Sequence, residues 1–182
     1  MTIEIETSRL ILRPLAPSDV EAHMSMMAEP EVAAFLSFSK TPEDRMSRWR
    51  QFASYLGHWQ IRGYGFFSVF EKSTGDWVGR AGPWQPETWP GLECGWGLSS
   101  RYWGRGYMPE AAIAAIHWTF LRFPDLPRII SMIDPDNRNS QAVAAKVGER
   151  LTDERFQLFD YSLQIWAADR EEWMGRFAST AG

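Results

Sequence analysis

An α/β or α+β domain built on one mixed sheet is the fold class this sequence predicts, and three observations carry the prediction. Extended segments precede, separate and follow the helical ones, a pattern that places strands and helices in shared layers. The 182 residues, 45% hydrophobic and 23% charged, suit a globular chain long enough to bury a sizeable core without staples. No repeat, linker or low-complexity stretch divides residues 1–182, so they read as a single domain.

The elements follow in order. Ser8 to Leu15, with spaced Leu10, Leu12 and Leu15 and a terminal Pro14, suits a strand near a sheet edge. Pro17-Ser18-Asp19 supplies a helix cap, Val20, Met24 and Met27 follow at helical spacing, and Pro30 interrupts before a short turn through Val32 to Leu36. Thr41-Pro42-Glu43-Asp44 opens a second helix: Thr41 caps the first amides, Pro42 fits the first position and the acids meet the positive dipole end. Its expected buried stripe is Met46, Trp49, Phe52 or Ala53, and Leu56, and it should end near Arg62. Tyr64 to Lys72 and Trp77 to Trp84 form a hairpin around Ser73-Thr74-Gly75-Asp76. Leu92 to Leu98 is a third extended segment, whose Gly95 and Gly97 mark a bulge or a close approach of backbone. A helix from Gly106 to Phe123, a strand from Arg128 to Ile133, a helix from Ser140 to Val147, a late strand from Phe156 to Trp166 and a helix from Asp169 to Phe177 complete the chain.

Composition excludes several function classes. One cysteine, Cys94, forms neither an internal disulfide nor a multi-cysteine zinc site, and His23, His58 and His117 have no ligand spacing, so no metal is expected. No apolar run approaches the roughly 18 residues a bilayer span requires, and residues 1–13 alternate charge with Ile and Leu, so the chain reads as untargeted, cytoplasmic and without a membrane partner. A net charge of -4 argues against a nucleic-acid footprint. Ten tryptophans are the unusual feature, because that side chain accumulates in cores, interfaces and ligand pockets.

The chemistry concentrates in two places. Leu98-Ser99-Ser100-Arg101-Tyr102-Trp103-Gly104-Arg105-Gly106-Tyr107 joins a strand to a long helix. Gly104 and Gly106 allow backbone to approach a pyrophosphate, the helix start offers free amides, and Arg101 and Arg105 add charge. The loop lacks the Lys-Ser/Thr of a nucleoside-triphosphate loop and the third glycine of a dinucleotide fingerprint. Asp134-Pro135-Asp136-Asn137-Arg138-Asn139-Ser140 closes the next strand and opens a helix, where Asn and Ser also serve as caps.

The order strand, Arg-x-x-Gly-x-Gly, amphipathic helix, strand, Pro-x-Asn-x-x-Ser, helix with Lys146 and Gly148 resembles the GNAT superfamily of acetyl-CoA-dependent N-acetyltransferases, and within it the Rim ribosomal-protein branch. Thr7 to Leu15 with Asp19, Glu93 to Leu98, and Tyr161-Ser162-Leu163 with Trp173 extend the resemblance over nearly the whole chain. It implies a twisted mixed sheet of about seven strands flanked by helices and splayed between the fourth and fifth. It also implies acetyl-CoA as co-substrate, with pantetheine in the splay along Leu98 and Ser99. Arg101, Gly104, Arg105, Gly106 and Tyr107 would meet the phosphates, and Asn137 the pantetheine arm or the adenosine side. Gly148-Glu149 departs from the family's Gly-Phe, which bears on how the next strand packs.

An amine must lose a proton before attacking a thioester, and the departing thiolate needs an acid or a hydrogen bond. Glu93 shares a strand face with Gly95 and Gly97 and is the candidate base; a surface or structural carboxylate is the alternative. Ser140 matches the family position that assists the leaving thiolate, and it also suits a helix cap. The amide near Leu98 or Ser99 would serve a developing oxyanion. Tyr107 and Tyr161 could donate protons, although both also suit packing. Cys94 reads as a buried small residue rather than a nucleophile. Trp59, Trp84, Trp89, Trp96 and Trp103 flank the segments that would edge the acceptor site, where several would form an aromatic pocket if they are not core. The expected activity is acetyl transfer to a primary amine, a protein N-terminus or a small molecule, by direct attack in a ternary complex. A non-catalytic CoA- or acyl-CoA-binding module is the rival reading. The C-terminal helix with Trp166 and Trp173 fits packing on its own sheet or on a second subunit of a homodimer.

Overall fold

The computed structural model describes residues 3–37 and 39–177; the ends of the expected 1–182 domain and residue 38 lie outside the described residues. Among the described residues one sheet contains eight strands: β1 (Ile5–Glu6), β2 (Leu10–Pro14), β3 (Phe67–Glu71), β4 (Trp77–Trp84), β5 (Glu93–Leu98), β6 (Arg128–Ile133), β7 (Arg150–Leu158) and β8 (Tyr161–Asp169). Their spatial order is β1-β2-β3-β4-β5-β6-β8-β7. Only β5 and β6 run parallel, and they share a single register pair, Glu93 with Ile130. The sheet therefore opens between them.

The helices are α1 (Val20–Met26), α2 (Pro30–Leu36), α3 (Arg45–Arg62), α4 (Tyr107–Arg122), α5 (Arg138–Lys146) and α6 (Arg170–Phe177). Helix α4 packs on β2, β4 and β5 and touches α5 and α6, while α1 to α3 gather on the opposite face. Period-two alternation divides the strands accordingly. Leu10, Leu12, Phe67, Val69, Ala81, Cys94 and Ile129 join Ala111, Ala115, Ile116 and Phe120 in the main core. Tyr55, Phe52, Phe66 and Leu15 make a smaller cluster beneath α3. Asp19 ties this region together by accepting both Arg13 guanidinium bonds, the Ala16 amide and the Ser68 hydroxyl.

Three expectations need correction. The late strand read as Phe156 to Trp166 is a hairpin of β7 and β8; its Phe159-Asp160 turn reaches a positive φ of 52° at Phe159 without a glycine to mark it. This hairpin and the two-residue edge strand β1 bring the count to eight. Helix α3 is capped by Asp44, which accepts the Ser47 amide at 2.9 Å, rather than by Thr41. Its buried face is Phe52, Tyr55 and His58, whereas Met46 and Trp49 are 57% and 54% exposed, because its first turns stand clear of the core.

The departure at Gly148-Glu149 is accommodated inside the fold. Gly148 turns at φ +89°, the Glu149 amide bonds the Ala144 carbonyl, and the buried Glu149 side chain meets Ser131 Oγ at 2.8 Å. Trp173 packs within its own chain against Phe120 and Phe177 and donates to the Val147 carbonyl.

Candidate active site

Two cavities, each of about 370 Å³, meet at the opening between β5 and β6. The first lies under α2 and α3 and contains Glu93; the second lies between the start of α4 and α5 and contains Gly104 and Gly106. Trp96, Asn137 and Ser140 line both. A molecule seated in the second cavity can thus present one end to a molecule seated in the first.

The second cavity has the features of an anion cradle. Gly104 and Gly106 hold φ of 76° and 78°, a left-handed conformation that side chains resist, and a Cβ at Gly104 would meet open space. Gly106 caps α4 without any side-chain cap bond, so no side chain competes for the first amides of this 16-residue helix. Arg101 and Arg105 stack over the Tyr102 ring at 4.6 and 5.3 Å and enter no salt bridge among the described residues. Arg9 secures the turn by donating to the Arg105 carbonyl while it pairs with Glu110.

The other expected cofactor residues divide. Leu98 lines the second cavity, and its carbonyl accepts the Trp103 indole N–H at 2.9 Å. Ser99 is turned away: its amide donates to the Val78 carbonyl and its hydroxyl to Glu29, so it offers neither group to a thioester oxygen. Tyr107 lines the cavity with its ring, but its hydroxyl donates to Glu71. Asn137 caps α5 by accepting the Ser140 amide at 3.0 Å. The cap role therefore falls to Asn137, and the Ser140 hydroxyl instead receives the Trp96 indole N–H at 3.3 Å at the junction of the cavities.

In the first cavity Glu93 accepts the Trp89 indole N–H at 2.6 Å. Burial raises its pKa to about 7, although the Trp89 bond, the Met132 amide and the Arg80 charge all pull it down. A carboxyl poised there can exchange a proton near neutrality. The space expected beside Gly95 and Gly97 is already taken: a Cβ at Gly95 would lie 2.9 Å from Phe66, and one at Gly97 would lie 2.7 Å from Leu36. These glycines admit the cavity walls, and the open volume lies farther out toward α2, α3 and the β7–β8 hairpin.

Tryptophans 84, 89 and 96 line this cavity, whereas Trp59 packs on Phe67 and Trp118 and Trp103 faces the second cavity. Tyr161 lines the first cavity with the Lys40 ammonium 5.0 Å from its ring. The Cys94 side chain is buried in the main core, where burial pushes its thiol well above its ordinary pKa, which disfavours a thiolate nucleophile. Sequence reasoning missed Arg80, a buried arginine in the floor of the first cavity. The available signal was one cation within the otherwise uncharged run Trp77 to Trp84.

A sheet opened at a lone parallel pair, with a glycine turn and an uncapped helix start on one side and a carboxyl of pKa about 7 on the other, has the layout that an acyl-group transferase requires. Comparison with known proteins agrees. Residues 9–150 match the family model described as an acetyltransferase (GNAT) domain. The chain belongs to the GNAT acetyltransferase family, whose members are acetyl-CoA-dependent. It is 32% identical to an acetyltransferase of Agrobacterium tumefaciens strain C58, with a TM-score of 0.80 over 92% of this chain and 95% of that one. The ribosomal-protein acetyltransferase RimL, solved with coenzyme A, shares the fold at 18% identity and a TM-score of 0.71, over 92% of this chain and 98% of that one. An uncharacterized Bacillus subtilis (strain 168) protein, YkkB, is 29% identical over 153 residues, covering 80% of this chain and 84% of its own. No helix among the described residues is long and apolar enough to cross a membrane.

Proposed function

We propose that residues 1–182 act as one N-acetyltransferase domain that moves the acetyl group of acetyl-CoA to a primary amine by direct attack within a ternary complex. The observation that carries this reading is the shared wall of the two cavities, with Glu93 on one side, Gly104 and Gly106 on the other, and Ser140 between them. The amides at the start of α4 and the Arg101 and Arg105 guanidiniums hold the pyrophosphate, while Leu98, Trp96 and Asn137 border the pantetheine arm. The acceptor amine enters beside Glu93, which takes its proton directly or through a water. Its nitrogen attacks the thioester carbon, the C–N bond forms, and the C–S bond breaks as the thiolate departs with a proton or hydrogen bond from Ser140.

Calorimetric titration with acetyl-CoA, followed by a thiol-release screen over amines, tests the proposal. Micromolar binding and amine-dependent thiol release are expected. Binding without release for any amine would instead favour a CoA-sensing module, and absence of binding to the folded protein would overturn the cofactor assignment.

A further inference from the structure

Arg80 lies on β4 opposite Gly97, on the sheet face that also carries Glu93. It is 4% exposed. Its Nη2 donates to the Tyr55 hydroxyl at 3.2 Å, and its guanidinium lies 4.0 Å from the Phe66 ring centroid and 4.8 Å from that of Tyr55. Its Nε is buried without any hydrogen-bond partner, and no carboxylate among the described residues lies within salt-bridge distance. The neighbouring His23 adds no like charge: burial, then the Arg80 charge, lowers its pKa to about 3, leaving the ring neutral, while Glu93 feels the Arg80 charge without contacting it. A buried guanidinium with unspent donors is costly in a folded protein, and the cost is relieved when a ligand brings the anion.

Arg80 and Glu93 face the same cavity. The Arg80 Cζ lies 3.9 Å from the Cβ position of Gly97, and Glu93 Oε1 lies 3.6 Å from that of Gly95. Those two positions are two strand residues apart, about 7 Å. Phe66 and Leu36 fill the space directly over these glycines, and one small molecule in the open cavity both groups line can engage the guanidinium and the carboxyl together. Resting on the acetyltransferase reading above, we infer that Arg80 receives a carboxylate, with the Tyr55 hydroxyl beside it, so that the acceptor is an amine that also carries a carboxylate. The same anion could arrive on the acyl chain of a dicarboxylic acyl-CoA, a source that the test separates.

The test compares aminobutyrate, aminovalerate and aminocaproate with alkylamines of equal length. Binding is measured by calorimetry with and without acetyl-CoA, and turnover by thiol release. In the wild type the amino acids should be favoured about tenfold or more, the scale of one charge-assisted pair. Arg80→Met should abolish that preference while leaving acetyl-CoA affinity unchanged. Arg80→Lys keeps the charge without the fork and should retain part of it, which also covers the case in which Arg80→Met fails to fold. A preference for succinyl-CoA over butyryl-CoA that is lost in the same variants would place the carboxylate on the donor and still assign Arg80 as its site. Equal treatment of acids and alkylamines with both donors, or a preference that survives Arg80→Met, overturns the inference. Failure of acetyl-CoA to bind sinks the acetyltransferase reading separately, because titration of the free protein with aminocaproate still decides Arg80.

Discussion

The Trp89 indole donates to Glu93 Oε2 at 2.6 Å, so the proposed base is held by a residue of the loop that precedes its own strand. Burial lifts Glu93 to about 7, and the Trp89 bond opposes that lift. Since a base must be ionised to accept the ammonium proton, activity should rise with pH through about 7. Trp89→Phe removes a donor to the ionised form and should move the acidic limb of kcat/KM upward by about half to one pH unit, the worth of one hydrogen bond. Glu93→Gln should lower kcat by about a hundredfold or more and remove the limb. A limb unmoved in both variants would assign the base elsewhere.

The glycine turn makes a separate prediction about affinity. Gly104 has open space where a Cβ would stand, so Gly104→Glu should fold, at a cost of about 1–2 kcal/mol for its positive φ. It places a carboxylate at the cradle, and acetyl-CoA affinity should fall more than tenfold by calorimetry. Retained affinity would show that the pyrophosphate is held elsewhere.

Asn137 and Ser140 are neighbours whose variants should fail differently. Asn137→Ala removes the cap of α5 and should cost about 1 kcal/mol in thermal or urea unfolding. Ser140→Ala leaves that cap in place and should instead lower kcat with little change in KM for acetyl-CoA. If Ser140→Ala lowers stability and spares kcat, its hydroxyl serves Trp96 alone.

Why some of this was legible from residues alone has a physical answer. The turn at Gly104 and Gly106 and the helix start near Asn137 were legible because turns and helix starts are local, and the residues that satisfy them sit within a few positions. The hairpin at Phe159-Asp160 could not, because a positive φ at phenylalanine is imposed by the paired strands and leaves no glycine as its sign. Ser99 was misplaced because its partners, Val78 and Glu29, come from distant segments. Arg80 was passed over for the same reason: its burial without a salt-bridge partner among the described residues exists only once α3 and the sheet are assembled.

Glu149 yields the last prediction, about stability. Its Oε1 lies 2.8 Å from Ser131 Oγ, whose single hydrogen can go to the Cys94 carbonyl across the opening of the sheet when the protonated carboxyl donates to Ser131, and its Oε2 has no partner. Burial holds its pKa well above the ordinary 4.5, and the nearby Glu93 adds to the effect. A folded-state pKa above the unfolded one means that the native protein binds the extra proton. This contribution is complete below pH 4.5 and is lost as pH rises through the folded value, at up to about 1.4 kcal/mol per pH unit for one group. Glu149→Gln keeps the shape and a donor for Ser131 but cannot ionise. Its melting temperature should therefore fall less steeply than that of the wild type between weakly acidic and alkaline buffer, and it should be the more stable protein at the alkaline end. Parallel melting curves across that range would show that Glu149 keeps the same protonation in the folded and unfolded chains, contrary to its burial.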